Sequence, residues 1–268
     1  MEHVLFLSYG KDSIAAIHVA LDILGWPVDR IVTSEMYATD TVAAELPEVL
    51  EFKQRANRII KARWGITVET LRSKMTYEQG FYRVFGPNAK NRPGQIYGWP
   101  IRRGPWCNSD IKMPLMDIFD KQDNVLYLGI AADEPQRFGV LTGRKRSPLK
   151  ETGWTEAMCA KFCKQNNLYS PAYEHSRRGG CWFCHNQSVE QLRHLRKNHP
   201  DLWSLMLKWD ADSPLSFHPP RKKKNGAIEP GRTVYDFDQR FALEDAGKIP
   251  ADRRFKWSMI KEEPENAT

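Results

Sequence analysis

The residues between the first apolar run and the first helical pattern have the composition of an anion-binding loop. A buried-strand pattern at 4–7 ends at Ser8-Tyr9-Gly10-Lys11-Asp12-Ser13, and apolar helical spacing follows from Ile14. The first amides of a helix have no intrahelical partner, and the helix dipole favours negative charge there. Gly10 permits close approach of a backbone, and Lys11 supplies a mobile positive charge. We therefore expect a nucleotide phosphate to bind here, with Ser8, Tyr9, Gly10, Lys11, Asp12 and Ser13 as its binding residues.

The spacing of this loop differs from that of two familiar phosphate-binding loops. A Walker loop has four residues between its first glycine and the Gly-Lys-Ser/Thr string, and a dinucleotide-binding loop reads Gly-x-Gly-x-x-Gly. The present loop matches neither. Lys11 would neutralise phosphate charge, whereas Asp12 would either hold Mg²⁺ or serve as an ordinary first-turn carboxylate.

Five cysteines form a second set of residues with chemical potential: Cys107, Cys159, Cys163, Cys181 and Cys184. An odd number argues against a disulfide framework and favours metal, cluster or redox chemistry. The C-x-x-C spacing of Cys181 and Cys184 places two thiolates on one metal or cluster, and Cys159 and Cys163 share a face of a predicted helix. One loop cysteine, one helical cysteine and the C-x-x-C pair supply four ligands, as a [4Fe–4S] cluster or a structural zinc requires.

The elements that must position these residues alternate between strand and helix. Strands are predicted at 3–8, 30–36, 66–71 and 124–131, and helices at 13–25, 46–64, 109–119, 155–165, 188–198 and 201–209. This alternation predicts an α/β fold with a parallel twisted sheet and flanking helices. A composition shift near residue 140 predicts two domains, a nucleotide-binding α/β domain at 1–140 and a smaller, mostly helical, cysteine-bearing region at 141–268. Residues 72–106 show no clear period.

Four motifs occur in an order that resembles one known family. They are the Ser8–Ser13 loop, Asp40-x4-Glu45-x-Pro47, Trp106-Cys107 followed by Lys112, and Gly129-Ile130-x-x-Asp133-Glu134-x-x-Arg137. The set resembles the phosphoadenylyl-sulfate reductase family of the PP-loop ATP-pyrophosphatase superfamily, whose fold is adenine-nucleotide α-hydrolase-like. The resemblance covers roughly residues 3–190.

This resemblance implies roles for individual residues. The loop amides and Lys11 would hold the pyrophosphate or sulfate end of an adenylyl group, with Asp12 on Mg²⁺ and Arg137 reaching the same end. Asp40 and Glu45 would contribute to the nucleotide site. The arrangement of cysteines is similar to that of iron–sulfur members, including phage and prophage proteins and a DNA-phosphorothioation component. It implies Cys107, Cys163, Cys181 and Cys184 as cluster ligands and leaves Cys159 as a spare, small buried side chain.

Departures from the family pattern bear on the reaction. The C-terminal Glu-Cys-Gly-x-His motif of sulfonucleotide reductases is missing, as is the tandem Cys-Cys of their cluster-bearing members, whereas Lys11 and Asp12 are retained. We therefore predict an enzyme that activates a target with ATP, releasing pyrophosphate, for sulfur transfer or a related modification. One alternative is a phosphoadenylyl-sulfate or adenylyl-sulfate reductase. Another is a non-catalytic nucleotide- and cluster-binding subunit of a modification or defence complex.

Net charge and hydropathy limit the classes of partner that the protein is expected to have. The net charge is +7, from 40 Lys and Arg against 33 Asp and Glu, which suits either polyanion binding or an ordinary solvated surface. Nucleic acid, as tRNA or DNA, would suit two basic runs, Arg144–Arg146 and Arg221–Lys224, and an aromatic-basic set: Tyr77, Phe81, Tyr82, Arg83, Tyr97, Trp99, Arg102 and Arg103. A sulfur-donor protein and a homodimer are further expectations. The chain contains no apolar run of about 20 residues and no secretory signal, so we expect a cytoplasmic protein without a membrane partner.

Overall fold

The structure, a computed structural model, describes residues 1–90, 92–100, 105–121, 123–175, 180–252, 257 and 260. It contains two compact units, Met1–Arg83 with Arg103–Trp182 and Val84–Arg102 with Phe183–Thr268. Residue 140, where composition predicted a boundary, lies inside the first unit, because the helix at Glu156–Gln165 packs against the helix that begins at Lys11. Arg102 and Arg103 lie outside the described residues.

A five-stranded parallel sheet forms the centre of the first unit. Its strands are β1 (His3–Phe6), β2 (Arg30–Glu35), β3 (Val68–Arg72), β4 (Val125–Leu128) and β5 (Lys145–Arg146), arranged in the order β3-β2-β1-β4-β5. The α/β class and the four predicted strands are confirmed. The fifth strand was not predicted: it lies in the basic run Arg144–Arg146, where Lys145 and Arg146 pair in parallel with Leu126 and Tyr127. A two-residue edge strand is too short to produce a recognisable alternation of apolar residues.

Helices flank this sheet. They are α1 (Lys11–His18), which continues into a π-helical turn at Val19–Ile23, α2 (Pro47–Trp64), α3 (Tyr77–Phe81), α4 (Met113–Lys121), α5 (Pro148–Thr152), α6 (Glu156–Gln165) and α7 (Ala172–His175). A π-helical turn at Cys107–Lys112 leads into α4, and a 3-10 helix at Pro135–Val140 follows β4. Thr155 caps α6 by accepting a hydrogen bond from the backbone N–H of Met158, a role that its short hydroxyl side chain suits.

Helix α1 lies in the hydrophobic core of the first unit. Ile14, Ala15, Ala16 and Ile17 are fully buried, so four consecutive positions around the helix face other elements. The two small alanines permit close packing, and α1 contacts both α6 and β4. The end of α1 that begins at Lys11 is therefore held at a fixed place relative to the sheet.

The second unit is a small helical bundle with a β-hairpin. It contains α8 (Val189–Asn198), α9 (Pro200–Asp212), α10 (Val234–Asp245) and the antiparallel strands β6 (Arg221–Lys222) and β7 (Ile228–Glu229). The buried carboxylate of Asp210 accepts hydrogen bonds from the indole N–H of Trp99 and from the first amides of α10. These bonds connect the irregular segment around Trp99 to two helices. Within the described ranges, no helix combines the length and apolar composition needed to cross a bilayer.

The order of the strands creates a switch point between β1 and β4. The chain leaves β1 toward β2 and β3 on one side, and β4 and β5 lie on the other. Ligands of open α/β sheets bind at the carboxyl ends of strands where the direction of the connections reverses. The loop after β1 and the loop after β4 meet at this position.

Gly129 sets how closely the two loops approach. A Cβ atom at this residue would lie 2.5 Å from the Cα of Ser13 and 2.6 Å from its backbone nitrogen. Both are backbone atoms of α1, which cannot rotate away as a flexible side chain would. The first turn of α1 can therefore contact the end of β4 only because residue 129 lacks a side chain.

We expect Gly129→Ala to lower the free energy of unfolding by about 2 kcal/mol, because overpacking against backbone forces a shift of α1. Urea unfolding monitored by circular dichroism measures this loss. Gly139→Ala is the matched control, since a Cβ there meets no atom within 4 Å. Equal stability of the two variants would contradict the proposed contact.

Candidate functional site

The loop after β1 has a strained but well-supported backbone. Tyr9 adopts φ 55°, a left-handed conformation that is uncommon for a residue other than glycine. Its ring is buried and its hydroxyl donates a 2.6 Å hydrogen bond to Oδ1 of Asn57 on α2. Burial raises the pKa of Tyr9 to about 12 against the opposing effect of the Asn57 hydrogen bond, and the charge of Glu45 adds to the rise. Contacts outside the loop thus stabilise the strained backbone conformation of Tyr9, as is often found at binding sites.

The two serines hold the loop together. The Oγ of Ser13 accepts a hydrogen bond from the backbone N–H of Ser8 (3.1 Å) and donates one to the carbonyl of Gly10 (3.0 Å). The hydroxyls of Ser8 and Ser13 are 3.0 Å apart. Ser13 is buried and therefore shapes the loop, whereas Ser8 is exposed. Of these two predicted binding residues, Ser8 is the one whose side chain is accessible to a ligand.

A tyrosine from α7 covers the start of α1. The backbone N–H of Lys11 donates a 3.0 Å hydrogen bond to the hydroxyl oxygen of Tyr173, and a Cβ at Gly10 would lie 3.1 Å from the same oxygen. The absence of a side chain at Gly10 therefore leaves room for an oxygen atom over the helix N-terminus. No local sequence pattern predicts this contact, which joins residues 162 positions apart.

Three carboxylates and two cations surround the first turn of α1. Carboxylate oxygens of Asp12, Glu134 and Glu156 lie within 4.8 Å of one another. The Nζ of Lys11 is 3.0 Å from Asp12 and 3.3 Å from Glu156, while Arg137 donates a 2.7 Å hydrogen bond to Glu134. The side chains of Lys11, Asp12 and Glu134 are about one-seventh exposed. The loop after β4 thus brings Arg137 to the loop after β1 through Glu134.

The electrostatics of this cluster reflect its excess negative charge. Burial alone would lower the pKa of Lys11, but the hydrogen bond and charge of Asp12, together with the charge of Glu156, raise it. Burial also raises the pKa of Asp12, and Glu156 and Glu134 add to that effect against the influence of Lys11. At Asp12 burial is the largest cause of the raised pKa and the neighbouring carboxylates add to it, whereas at Lys11 the carboxylates raise the pKa against the effect of burial. An additional cation bound beside the three carboxylates would therefore stabilise this group of charges.

The two acidic residues predicted after β2 differ in their surroundings. Glu45 pairs with Lys53, whose Nζ lies 4.8 Å from the centre of the Tyr9 ring. Asp40 lies on an exposed turn, where its backbone carbonyl accepts a hydrogen bond from Arg72. Glu45 is therefore connected to the loop through Lys53 and Tyr9, and the contact made by Asp40 is directed toward β3.

The helical cysteines are buried beneath the loop. Cys159 and Cys163 have no exposed surface, and the thiol of Cys163 donates a 3.4 Å hydrogen bond to the carbonyl of Lys11. Burial, followed by the charge of Asp12, raises the pKa of Cys163 to about 12 and raises the pKa of Cys159 as well. These thiols are protonated at neutral pH unless a metal displaces the proton.

The other cysteines occupy turns. Cys107 is half-buried at the start of a π-helical turn, and Cys181 is buried beside Trp182. Trp182 donates hydrogen bonds from its indole to the carbonyl of Ala43 (2.8 Å) and from its backbone to the carbonyl of Ala44 (2.9 Å). Trp182, which follows Cys181, is thereby attached to the segment that carries Glu45. Cys184, the last predicted ligand, is half-buried and belongs to the second unit.

All five cysteines lie among the described residues and none forms a disulfide, so the donor set is chemically suited to a cluster. Within the described part of the chain, no group of three ligand atoms within 4.8 Å of one another includes a cysteine sulfur. A tetrahedral zinc, with Zn–S bonds of about 2.3 Å, would need sulfurs about 3.8 Å apart. An iron–sulfur cluster, which places four irons between its thiolates, does not require such close sulfurs.

The basic and aromatic segments differ in accessibility. Arg144, Lys145 and Arg146 pair with Asp123, Asp120 and Glu151 respectively, and Arg83 pairs with Asp110. Tyr77, Phe81 and Trp99 are buried core residues. The run Arg221–Lys224 is exposed along the β6–β7 hairpin. Of the two basic runs expected to contact a polyanion, both within the described residues, this is the one whose residues are all exposed.

No model of a known protein family matches the chain, and no curated protein shows significant sequence similarity to it.

The raised pKa of Asp12 makes its ionisation unfavourable for folding. Such a group contributes stability that is fully present below its unfolded pKa of 3.8 and is lost as the pH rises through the folded pKa. We expect Asp12→Asn to raise the melting temperature at pH 7 by roughly 2 °C, with the gain disappearing below about pH 4. Calorimetry across this pH range measures the difference.

Asp22→Asn is the control of opposite sign. Burial opposes ionisation of Asp22, but hydrogen bonds from His18, Trp64 and Arg63 lower its pKa. That carboxylate therefore stabilises the fold above its ordinary pKa, and its replacement should lower the melting temperature at pH 7. A fall for Asp12→Asn at pH 7 would contradict the charge excess described above.

Proposed function

We propose that this chain is an adenine-nucleotide enzyme of the PP-loop ATP-pyrophosphatase class, in the iron–sulfur branch that resembles the phosphoadenylyl-sulfate reductase family. In this proposal it activates a target with ATP, releasing pyrophosphate, for sulfur transfer or a related modification. The supporting observation is the position of Gly10 and Lys11 at the N-terminus of α1, at the switch point of a parallel sheet. This is where α/β folds of this kind bind phosphate groups.

The polyphosphate would bind where Tyr173 now contacts the loop. The hydroxyl oxygen of Tyr173 accepts the backbone hydrogen bond of Lys11, and a phosphate oxygen could accept the same bond. Lys11 has a flexible ammonium group within reach of this position, currently held by Asp12 and Glu156. Its raised pKa keeps it charged at neutral pH, as the neutralisation of pyrophosphate requires.

Asp12, Glu134 and Glu156 are the residues that would hold Mg²⁺. Carboxylate oxygens are the ligands that this cation prefers, and the ammonium of Lys11 already lies close to two of them. Three carboxylates against two cations leave a net charge of −1, which would repel an unaccompanied triphosphate. Mg²⁺ bound there would neutralise charge on both the carboxylates and the phosphates.

In the reaction, an acceptor atom forms a bond to the α-phosphorus of ATP and the bond from that phosphorus to the pyrophosphate oxygen breaks. Negative charge develops on the departing pyrophosphate. Lys11 and the loop amides would stabilise it because they are fixed beside the phosphates before the reaction. Arg137, half-exposed and held by Glu134, would contact the phosphate end from the loop after β4.

Cys107, Cys163, Cys181 and Cys184 would hold a [4Fe–4S] cluster, by the resemblance described above. A cluster at these residues would supply a site for sulfide during transfer, or would serve structurally. Because burial raises the pKa of Cys163, cluster binding there must release a proton. A sulfur-donor protein would then supply the sulfur that displaces AMP from the adenylylated acceptor, for which tRNA or DNA is our proposal.

The spare cysteine disfavours the reductase alternative. A reductase needs a nucleophilic thiolate, whose pKa must be depressed and whose sulfur must be accessible. Cys159 has no exposed surface, and burial together with Asp12 raises its pKa. The first unit therefore favours ATP-dependent activation over attack of Cys159 on a sulfonucleotide.

Lys11→Gln should weaken binding of ATP with Mg²⁺ by at least about tenfold, which corresponds to about 1.4 kcal/mol, because it removes the cation that faces the phosphates. Titration calorimetry measures the affinity, and pyrophosphate release measures turnover. Lys61→Gln, an exposed substitution on α2, is the control and should change neither quantity. Unchanged affinity and turnover in Lys11→Gln would remove the loop from the mechanism, and sulfite formation from adenylyl sulfate would favour the reductase.

Protein purified without oxygen should contain about four irons and four sulfides per chain and absorb visible light. Cys163→Ser should lose most of this iron, whereas Cys159→Ser should retain it. The two residues are equally buried on the same face of α6, so the pair separates ligation from packing. A colourless protein with one zinc per chain would refute the cluster.

A further inference from the structure

The β6–β7 hairpin presents an unneutralised row of positive charge. Arg221, Lys222, Lys223 and Lys224, called here the basic hairpin, are all exposed. Within the part of the chain that the structure describes, none of these four side chains pairs with a carboxylate. The arginines of the neighbouring helices behave differently, since Arg193, Arg196 and Arg240 all pair with acidic residues on α10. Charge on the helices is thus satisfied internally, whereas charge on the hairpin faces solvent.

The base of the hairpin is firmly held. His218 and Arg232 exchange two backbone hydrogen bonds of 2.8 Å each, which close the hairpin at its root. Next to this bridge, Phe217 is fully buried and packs edge-on against Trp99 at 4.9 Å. A Cβ at Gly231 would lie 2.7 Å from the hydroxyl of Ser216, so the segments before and after the hairpin are in close contact there. The exposed cations therefore project from a fixed support.

A cavity of about 210 Å³ lies at the same root. Its lining includes the cations Arg221 and Arg232, the carboxylate Glu229 and the aromatic rings of His218, Phe237 and Trp257. The guanidinium carbon of Arg232 lies 4.5 Å from the centre of the Trp257 ring. The Nε of Arg232 is buried and has no hydrogen-bond partner among the described residues. The cavity thus combines aromatic surface with a hydrogen-bond donor that has no acceptor.

The row of cations together with the aromatic cavity favours single-stranded nucleic acid over other polyanions. A row of cations suits successive phosphates along a chain, and such contacts give affinity that depends on salt. Aromatic rings with an arginine suit an unpaired base, which stacks on such surfaces. The cavity is smaller than the roughly 300 Å³ or more of a typical small-molecule site, so it suits one part of a nucleotide. A lipid surface would engage the cations but has no group that stacks in the cavity.

We propose that the second unit binds single-stranded nucleic acid, with the basic hairpin on successive phosphates and the cavity at its root taking one unpaired base. The inference rests on residues of the second unit and does not depend on the ATP chemistry proposed above.

The test uses the full chain and fluorescently labelled single strands of about 16 nucleotides, one of DNA and one of RNA. Lys223→Glu/Lys224→Glu should weaken binding by roughly tenfold or more. The slope of log affinity against log salt should become shallower by about 1.4, because each of the two lost phosphate contacts contributes about 0.7. Arg58→Glu/Lys61→Glu, on the exposed face of α2, makes the same change of charge and should leave the slope intact. The tighter of the two strands identifies the natural polymer.

Two further measurements complete the test. Arg232→Gln should weaken strand binding while leaving binding to heparin, which has no bases, unchanged, with circular dichroism confirming the fold. Lys11→Gln should leave strand binding intact, which separates this proposal from the nucleotide site. The proposal would be overturned if the two double variants weakened strand binding equally, or if Arg232→Gln affected binding of the strand and of heparin to the same extent. Tighter binding of anionic vesicles than of both strands would also overturn it.

Discussion

The contact between Gly129 and the first turn of α1 is the constraint on which the candidate site depends. A side chain at this position would collide with the backbone of Ser13, and the loop after β4 would lie farther from the loop after β1. Because the two loops touch, Glu134 lies beside Asp12 and Arg137 follows through its pair with Glu134. One missing Cβ thus brings the charged groups of two strands to a single place.

The charges gathered there are unbalanced, and this explains several properties of the first unit together. Burial and the neighbouring carboxylates raise the pKa of Asp12, and Asp12 with Glu156 raises the pKa of Lys11 against the effect of burial. The pKa values of Cys159 and Cys163 are raised by burial and then by the charge of Asp12. Such an arrangement costs stability without a ligand, and it favours a site that binds a cation together with a phosphate. Stability and function therefore place opposite demands on Asp12.

The two basic runs are similar in sequence but differ in whether acidic residues neutralise their charge. Arg144, Lys145 and Arg146 are paired with acidic residues, and Lys145 and Arg146 form part of the sheet. The basic hairpin also consists entirely of Arg and Lys, but its side chains are exposed to solvent. Only the second arrangement leaves charge available for a polyanion.

The sequence by itself determined the loop, the α/β class and the order of the principal elements. These features are local: hydrophobic periodicity, the glycine-lysine turn and the Thr155 cap act within about ten residues of chain. The tertiary structure decided which distant groups meet. Glu156 and Tyr173 reach Lys11 across more than 140 positions, Gly129 contacts Ser13, and β5 pairs beside β4. No periodic pattern encodes such proximity, because it arises only when the path of the whole chain brings those backbones together.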